Sequence, residues 1–199
     1  FLILRIALCV QGDYTDEKRG RTDKAGMTDE REVARRLAAW EESRKAFDLP
    51  DWESLPRLGL YMDQVILLLT QYLGPLSRGE EDKPITASII NNYVRLKVMP
   101  PPVKKKYSQV HLASLIIICV LKQSLSISDI QRMFPRDHSE EAVRLLYGDF
   151  VRQYRQVSDV FARQLGAAEE LRGASGKELI LTSAVLSSLA KDMTEFLLQ

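Results

Sequence analysis

The run Pro100-Pro101-Pro102 limits what this chain can fold into more than any other stretch. A proline ring fixes φ and removes the backbone donor, so three in a row forbid helix and hold the segment extended. The chain on both sides reads as helix, so it must leave its helices here, turn, and return through VKKKY, residues 103–107. Weaker breaks at Pro50, Gly74-Pro75, Pro135 and Gly173 divide the rest into pieces of helical length and period. The fold class expected is therefore all-α, mainly helical.

The pieces carry their own start and stop signals. From Thr28 to Phe47, Val33, Leu37, Trp40 and Phe47 recur at helical spacing, with Glu32/Arg36 and Glu41/Lys45 as favourable pairs. Leu60, Tyr61, Val65, Leu68, Leu69 and Tyr72 give a second helix a wide apolar face, and Gly74-Pro75 ends it. An acidic loop, SRGEEDKP, follows. The segment ITASIINNYVRL predicts a short helix capped by Thr86 or Ser88 and burying Ile89, Ile90, Tyr93 and Leu96. Ser108 can cap QVHLASLIIICVLKQ; its run Leu115 to Leu121 also suits a buried strand, but length, cap and the KQ ending favour helix. Ser126 with Asp129 resembles a capping box ahead of SISDIQRMF. A long helix is expected from Ser139 to Leu165, with Glu140 and Glu141 in its first turn. Ser175 and Glu178 form another capping box, before a last amphipathic helix lined by Leu179, Val185, Leu186, Leu189, Met193 and Phe196. Strand character is confined to a short ribbon around Val98 and Lys106.

The net charge of +1 hides an asymmetry. No Asp or Glu occurs between Pro84 and Ser128, whereas Arg95, Lys97, Lys104, Lys105, Lys106 and Lys122 do, which leaves −5 on the rest of the chain. A basic block in an otherwise acidic protein points to an anionic partner. The two cysteines, Cys9 and Cys119, make neither a disulfide framework nor a metal site, and Cys119 lies in the apolar run LIIICVL, where a reduced buried thiol and a cytoplasmic setting are expected. The chain changes character at Met27, from the patternless QGDYTDEKRGRTDKAG to a clean amphipathic pattern, so Met27 is read as the natural start and residues 1–26 as an upstream or non-native segment.

Catalytic chemistry has little footing. His111 and His138 have no Cys, His or carboxylate at ligand spacing, and there is no phosphate loop or nucleophile elbow. A non-enzymatic protein without a cofactor or metal is expected. The basic block, by contrast, suits nucleic acid. A short helix bearing Thr86, Ser88, Asn91, Asn92 and Arg95 fits a major groove, where Asn pairs with adenine and Arg with guanine or phosphate. Lys97, Lys104, Lys105 and Lys106, held near it by the prolines, suit backbone phosphates. The plainer alternative makes the asparagines helix caps and the lysines a solubilising turn.

The order IINNYVRLKVMPPP, KKKYSQVHLASL, LKQSLSISDI resembles the MerR-type winged helix-turn-helix over roughly residues 86–134, with Asn91 where that pattern has arginine and Lys97 where it has glycine. The segment from about Leu49 to Phe134, with LYMDQV and ITASIINNYV, also resembles a bacterial family catalogued as domain of unknown function 1836. The first resemblance implies a winged helix-turn-helix core with a short wing: Leu60 to Leu73 as supporting helix, Thr86 to Arg95 as recognition helix, Pro100 to Tyr107 as wing. Four regions are expected: residues 1–26, an amphipathic helix at 27–48, the DNA-binding core at 49–135, and C-terminal helices at 139–199. The partner expected is double-stranded DNA, bound by a transcriptional regulator whose small-molecule effector, if any, stays unassigned. Because such regulators read two half-sites, Val143, Tyr147, Phe150, Tyr154, Val157 and Phe161, spaced 4, 3, 4, 3, 4, are a candidate homodimer seam; the alternative packs them on the chain's own core or on the last helix. A helical interaction module meeting an acidic partner is the main rival. An anionic membrane needs more than Lys104–Lys106, so no membrane partner is expected.

Overall fold

The computed structural model describes residues 30–45, 47–76, 85–167 and 176–199. The boundary at Met27, the acidic loop, the break at Gly173 and the cap at Ser175 lie outside them. Among the described residues seven α-helices follow in order: α1 (Glu30–Lys45), α2 (Met62–Leu73), α3 (Ala87–Arg95), α4 (Gln109–Leu121), α5 (Ile127–Met133), α6 (Glu140–Ala167) and α7 (Gly176–Leu197). Single 3-10 turns occupy Trp52–Ser54 and Gly74–Leu76, the second where Gly74-Pro75 stops α2. Strand pairing among the described residues is limited to two isolated bridges, so the fold is all-α.

The centre of the fold is α4. Every residue from Gln109 to Ile118 is buried, which is why this helix carries no polar face: a helix apolar all round is one covered all round. The ambiguous run Leu115–Leu121 is helical, and α6, α2 and α5 pack on it. The buried amide of Gln109 is satisfied by donating to the carbonyls of Trp52 at 2.5 Å and Leu55 at 3.4 Å, which ties α4 to the first 3-10 turn. At the other end burial pushes the Cys119 thiol up to about 12, so it stays protonated at neutral pH. The Ser126 cap forms as the spacing implies: its Oγ accepts from the Asp129 N–H and donates to the Asp129 carboxylate.

Along the long helix α6 most of the candidate seam packs on the chain's own core. Val143 and Tyr147 are fully buried, and Phe150 and Tyr154 are half-buried against the same core. The Tyr147 hydroxyl donates to the Pro50 carbonyl at 2.7 Å, and its ring meets Trp52 edge-on at 6.2 Å. Tyr154 meets Phe47 edge-on at 5.8 Å. Bulky rings at heptad spacing have thus been used inside the chain. Past Tyr154 the core ends, and Val157 and Phe161 are 64% and 44% exposed. Arg155 fixes α6 where the core stops. It holds Asp48 through both carboxylate oxygens at 2.7 and 2.8 Å, Asp51 at 2.8 Å, and the Leu49 carbonyl at 2.9 Å.

Helices α1 and α7 lie outside this core. They meet where Gly176 approaches Val33 so closely that an added Cβ would sit 2.5 Å from a Val33 methyl. The expected face of α7 is not enclosed: Leu179 and Leu186 are half-buried, while Val185, Leu189, Met193 and Phe196 are exposed. Its amphipathic pattern is real, but no described element covers it.

Candidate nucleic-acid interface

Helix α3 is nine residues long and starts where the sequence implies: Thr86 is the N-cap, its Oγ1 accepting from the Ile89 N–H at 3.3 Å. The buried side differs from the expected one. Ile90 and Tyr93 face the core and Val94 packs beside them, whereas Ile89 and Leu96 are 38% and 40% exposed. Spacings 90, 93 and 94 define one arc of the helix; 89 and 96 fall a residue off it. The opposite arc is polar: Ser88, Asn91, Asn92 and Arg95 stand at i, i+3, i+4 and i+7, so they share one stripe. Ser88, Asn91 and Arg95 are exposed and Asn92 is half-buried. Arg95 donates to the Asn92 Oδ1 at 2.7 Å, which aims the guanidinium along the stripe and engages the Asn92 acceptor.

The exit from α3 is a Schellman motif. The Val98 N–H reaches back to the Tyr93 carbonyl and the Lys97 N–H to the Val94 carbonyl, both at 3.0 Å, with Lys97 left-handed at φ 56°. A left-handed position of this kind favours glycine, yet lysine occupies it. Val98 packs inward with Tyr93, so it belongs to the core and not to a ribbon. Gln131 of α5 donates to the Leu96 carbonyl at 3.1 Å and secures the corner. Lys97 is left exposed.

Beyond the prolines the chain makes the smallest possible hairpin. Val103 and Lys106 exchange backbone hydrogen bonds at 3.1 and 2.9 Å around Lys104 and Lys105, whose φ values are 50° and 64°. Two left-handed central residues define a type I′ turn, which strongly prefers Asn-Gly. Lysine at both places costs roughly 1–2 kcal/mol each. One step further, Leu60 and Tyr107 exchange bonds at 2.9 and 2.8 Å, anchoring the hairpin to the start of α2. The ribbon expected around Val98 and Lys106 is thus reduced to two bridges, Val103–Lys106 and Leu60–Tyr107, without Val98.

The three lysines are not equivalent. The Lys106 stem lies over Gly59, where an added Cβ would be 3.0 Å from its own Cβ, and its ammonium sits 5.7 Å from the Tyr61 ring. Lys104 and Lys105 occupy the exposed tip. Lys122, the remaining cation of the block, donates to the Leu125 carbonyl at 3.2 Å and closes a turn at the far end of α4.

His111 has a role that its lone occurrence did not reveal. Its Nδ1 accepts from the Ser108 N–H at 3.0 Å, and Nε2 lies 3.3 Å from the Pro101 carbonyl. The neutral tautomer with its proton on Nε2 satisfies both contacts, pinning the proline arm to the start of α4. Burial lowers its pKa from the ordinary 6.5, more than the Pro101 and Pro100 carbonyls raise it. The unfolded chain therefore takes up a proton at a higher pH than the folded one. Stability is expected to be flat above pH 7.5 or so and to fall as pH drops from about 6.5 towards the lower folded value. Urea midpoints at pH 8, 6.5 and 5.5 check this, and the fall should be reduced in His111→Gln; equal falls in both proteins would remove His111 as its source.

No cluster able to hold a metal ion occurs among the described residues, and none of their helices is long and apolar enough to cross a membrane. The sequence model of the family described as Domain of unknown function (DUF1836) matches residues 50–150, just over half of the chain. No curated protein and no solved structure matches it.

Proposed function

The chain belongs to the family described as Domain of unknown function (DUF1836), and for this member we propose duplex DNA binding by a winged helix-turn-helix of MerR-like design. In this reading α2 is the supporting helix, α3 the recognition helix and the Lys104-Lys105 hairpin a minimal wing. The observation that carries it is the hairpin tip, where two adjacent lysines hold a left-handed conformation that asparagine and glycine adopt at lower cost. Strain retained at an exposed tip is a common mark of function, and two cations there suit backbone phosphate. The polar stripe of α3 supplies the rest. Asn91 is the best-placed base reader, because its amide has no partner within the helix stripe, whereas Asn92 and Arg95 are joined to each other. Thr86, engaged as a cap, and Ser88 stand at the helix start, where a phosphate or base edge is met. Lys97 at the helix exit and Lys106 at the hairpin base add charge.

Four of the six seam positions pack within the chain, which leaves Val157 and Phe161 as the exposed part of the proposed dimer seam. Selection from a random duplex pool, followed by titration at several salt concentrations, tests the proposal. Enriched duplexes should bind with an affinity that falls steeply with salt, by about one unit of logarithmic slope per phosphate contact. If no duplex is enriched, the basic tip is better read as a docking point for an acidic protein.

A further inference from the structure

A cleft of about 360 Å³ opens between α1 and α6, lined also by Leu76 beyond α2 and by Val120 and Gln123 at the end of α4. Its walls are aromatic. Trp40 and Phe161 meet edge-to-face at 5.8 Å, and so do Phe47 and Tyr154. Arg44 is the one base among the lining residues; its guanidinium lies 5.6 Å from the Trp40 ring. Its Nε is shut off from solvent and has no hydrogen-bond partner. The guanidinium also acts on the Tyr154 hydroxyl, and a carboxylate in the cleft would meet its terminal N–H groups rather than the enclosed Nε. Size, largely apolar walls and a few polar groups, with Arg44 the one cation, are the attributes of a small-molecule site. The lining also holds one acid, Glu41, so a ligand carrying a second negative charge is disfavoured.

We infer that this cleft binds a small aromatic monocarboxylate, its carboxylate held by Arg44 and its ring set among Trp40, Phe47, Tyr154 and Phe161. None of these residues belongs to α3 or the hairpin, so the inference stands or falls apart from DNA binding. Phenylacetate and its neutral counterpart phenylacetamide, titrated into the full chain, provide the test by calorimetry and tryptophan fluorescence. Trp40 reports on the cleft, because the other tryptophan, Trp52, is buried elsewhere in the core. Saturable phenylacetate binding is expected, with phenylacetamide about tenfold weaker and a similar loss in Arg44→Gln. Should Arg44→Gln fail to fold, Phe161→Ala, at an exposed position, decides: it should weaken phenylacetate about fivefold through lost ring contact. Equal affinity for acid and amide, affinity unchanged in the folded variant, or no saturation at millimolar phenylacetate would overturn the assignment.

Discussion

Tyr147→Ala is expected to destabilise the protein by about 3–5 kcal/mol, the range seen when a large aromatic ring is removed from a packed core. The side chain is fully buried, packs edge-on against Trp52, and donates to the Pro50 carbonyl. Truncation opens a cavity between α6 and the first 3-10 turn and strands that carbonyl. Against a total stability of about 5–15 kcal/mol the loss is large enough to leave a substantial unfolded fraction at moderate temperature. Tyr147→Phe keeps the ring and loses only the hydrogen bond, at about 1–2 kcal/mol. Val157→Ala, about one turn beyond the end of the core on an exposed face, should change stability by less than about 0.5 kcal/mol. Urea melts of the three variants would rank them in that order. A cost at Val157 equal to that at Tyr147 would instead mean that the whole seam is buried in solution, as in a dimer.

The second large effect separates fold from binding by giving them opposite signs. Replacing Lys104 by Asn and Lys105 by Gly installs the pair that a type I′ turn prefers, at positions with φ of 50° and 64°. Relief of left-handed strain at both positions, less what asparagine retains and what glycine gives back in unfolded-state entropy, should raise stability by about 1–2 kcal/mol. The same change removes two cations from the tip. If both contact phosphate, the logarithmic salt slope falls by about two and affinity at 0.1 M salt drops roughly fiftyfold. A gain in stability with an unchanged slope would take the hairpin out of the DNA interface. A loss of stability would contradict the turn geometry itself.

The helices were legible in the sequence because their signals are local. Thr86 and Ser126 form the caps their positions imply, and Gly74-Pro75 and the three prolines stop helices as backbone chemistry requires. Periodicity was less decisive wherever two neighbouring arcs of a helix both carried apolar residues. In α3 the pattern 89, 90, 93, 96 contains the true anchors Ile90 and Tyr93 together with two residues that face outward. The heptad of α6 gave a seam but not its partner, because spacing alone does not distinguish a neighbouring copy from the chain's own α4 and residues 47–52. Long-range polar contacts had no local signature at all. Gln109 on Trp52, His111 on Pro101 and Arg155 on Asp48 join residues whose pairing depends on the finished fold. The left-handed lysines were hidden for another reason: lysine is a poor choice for that conformation, so only the backbone reveals it.

The Arg155 clasp also redraws the edges of the foldable unit. Its partners, Asp48, Leu49 and Asp51, straddle the start of the family match, and Arg155 itself lies five residues past the end. The Phe47–Tyr154 ring pair straddles the same limits. Cutting the chain at 50 and 150 would sever both, while leaving the buried α4 intact. The shortest piece that keeps every one of these contacts runs from Phe47 to Arg155.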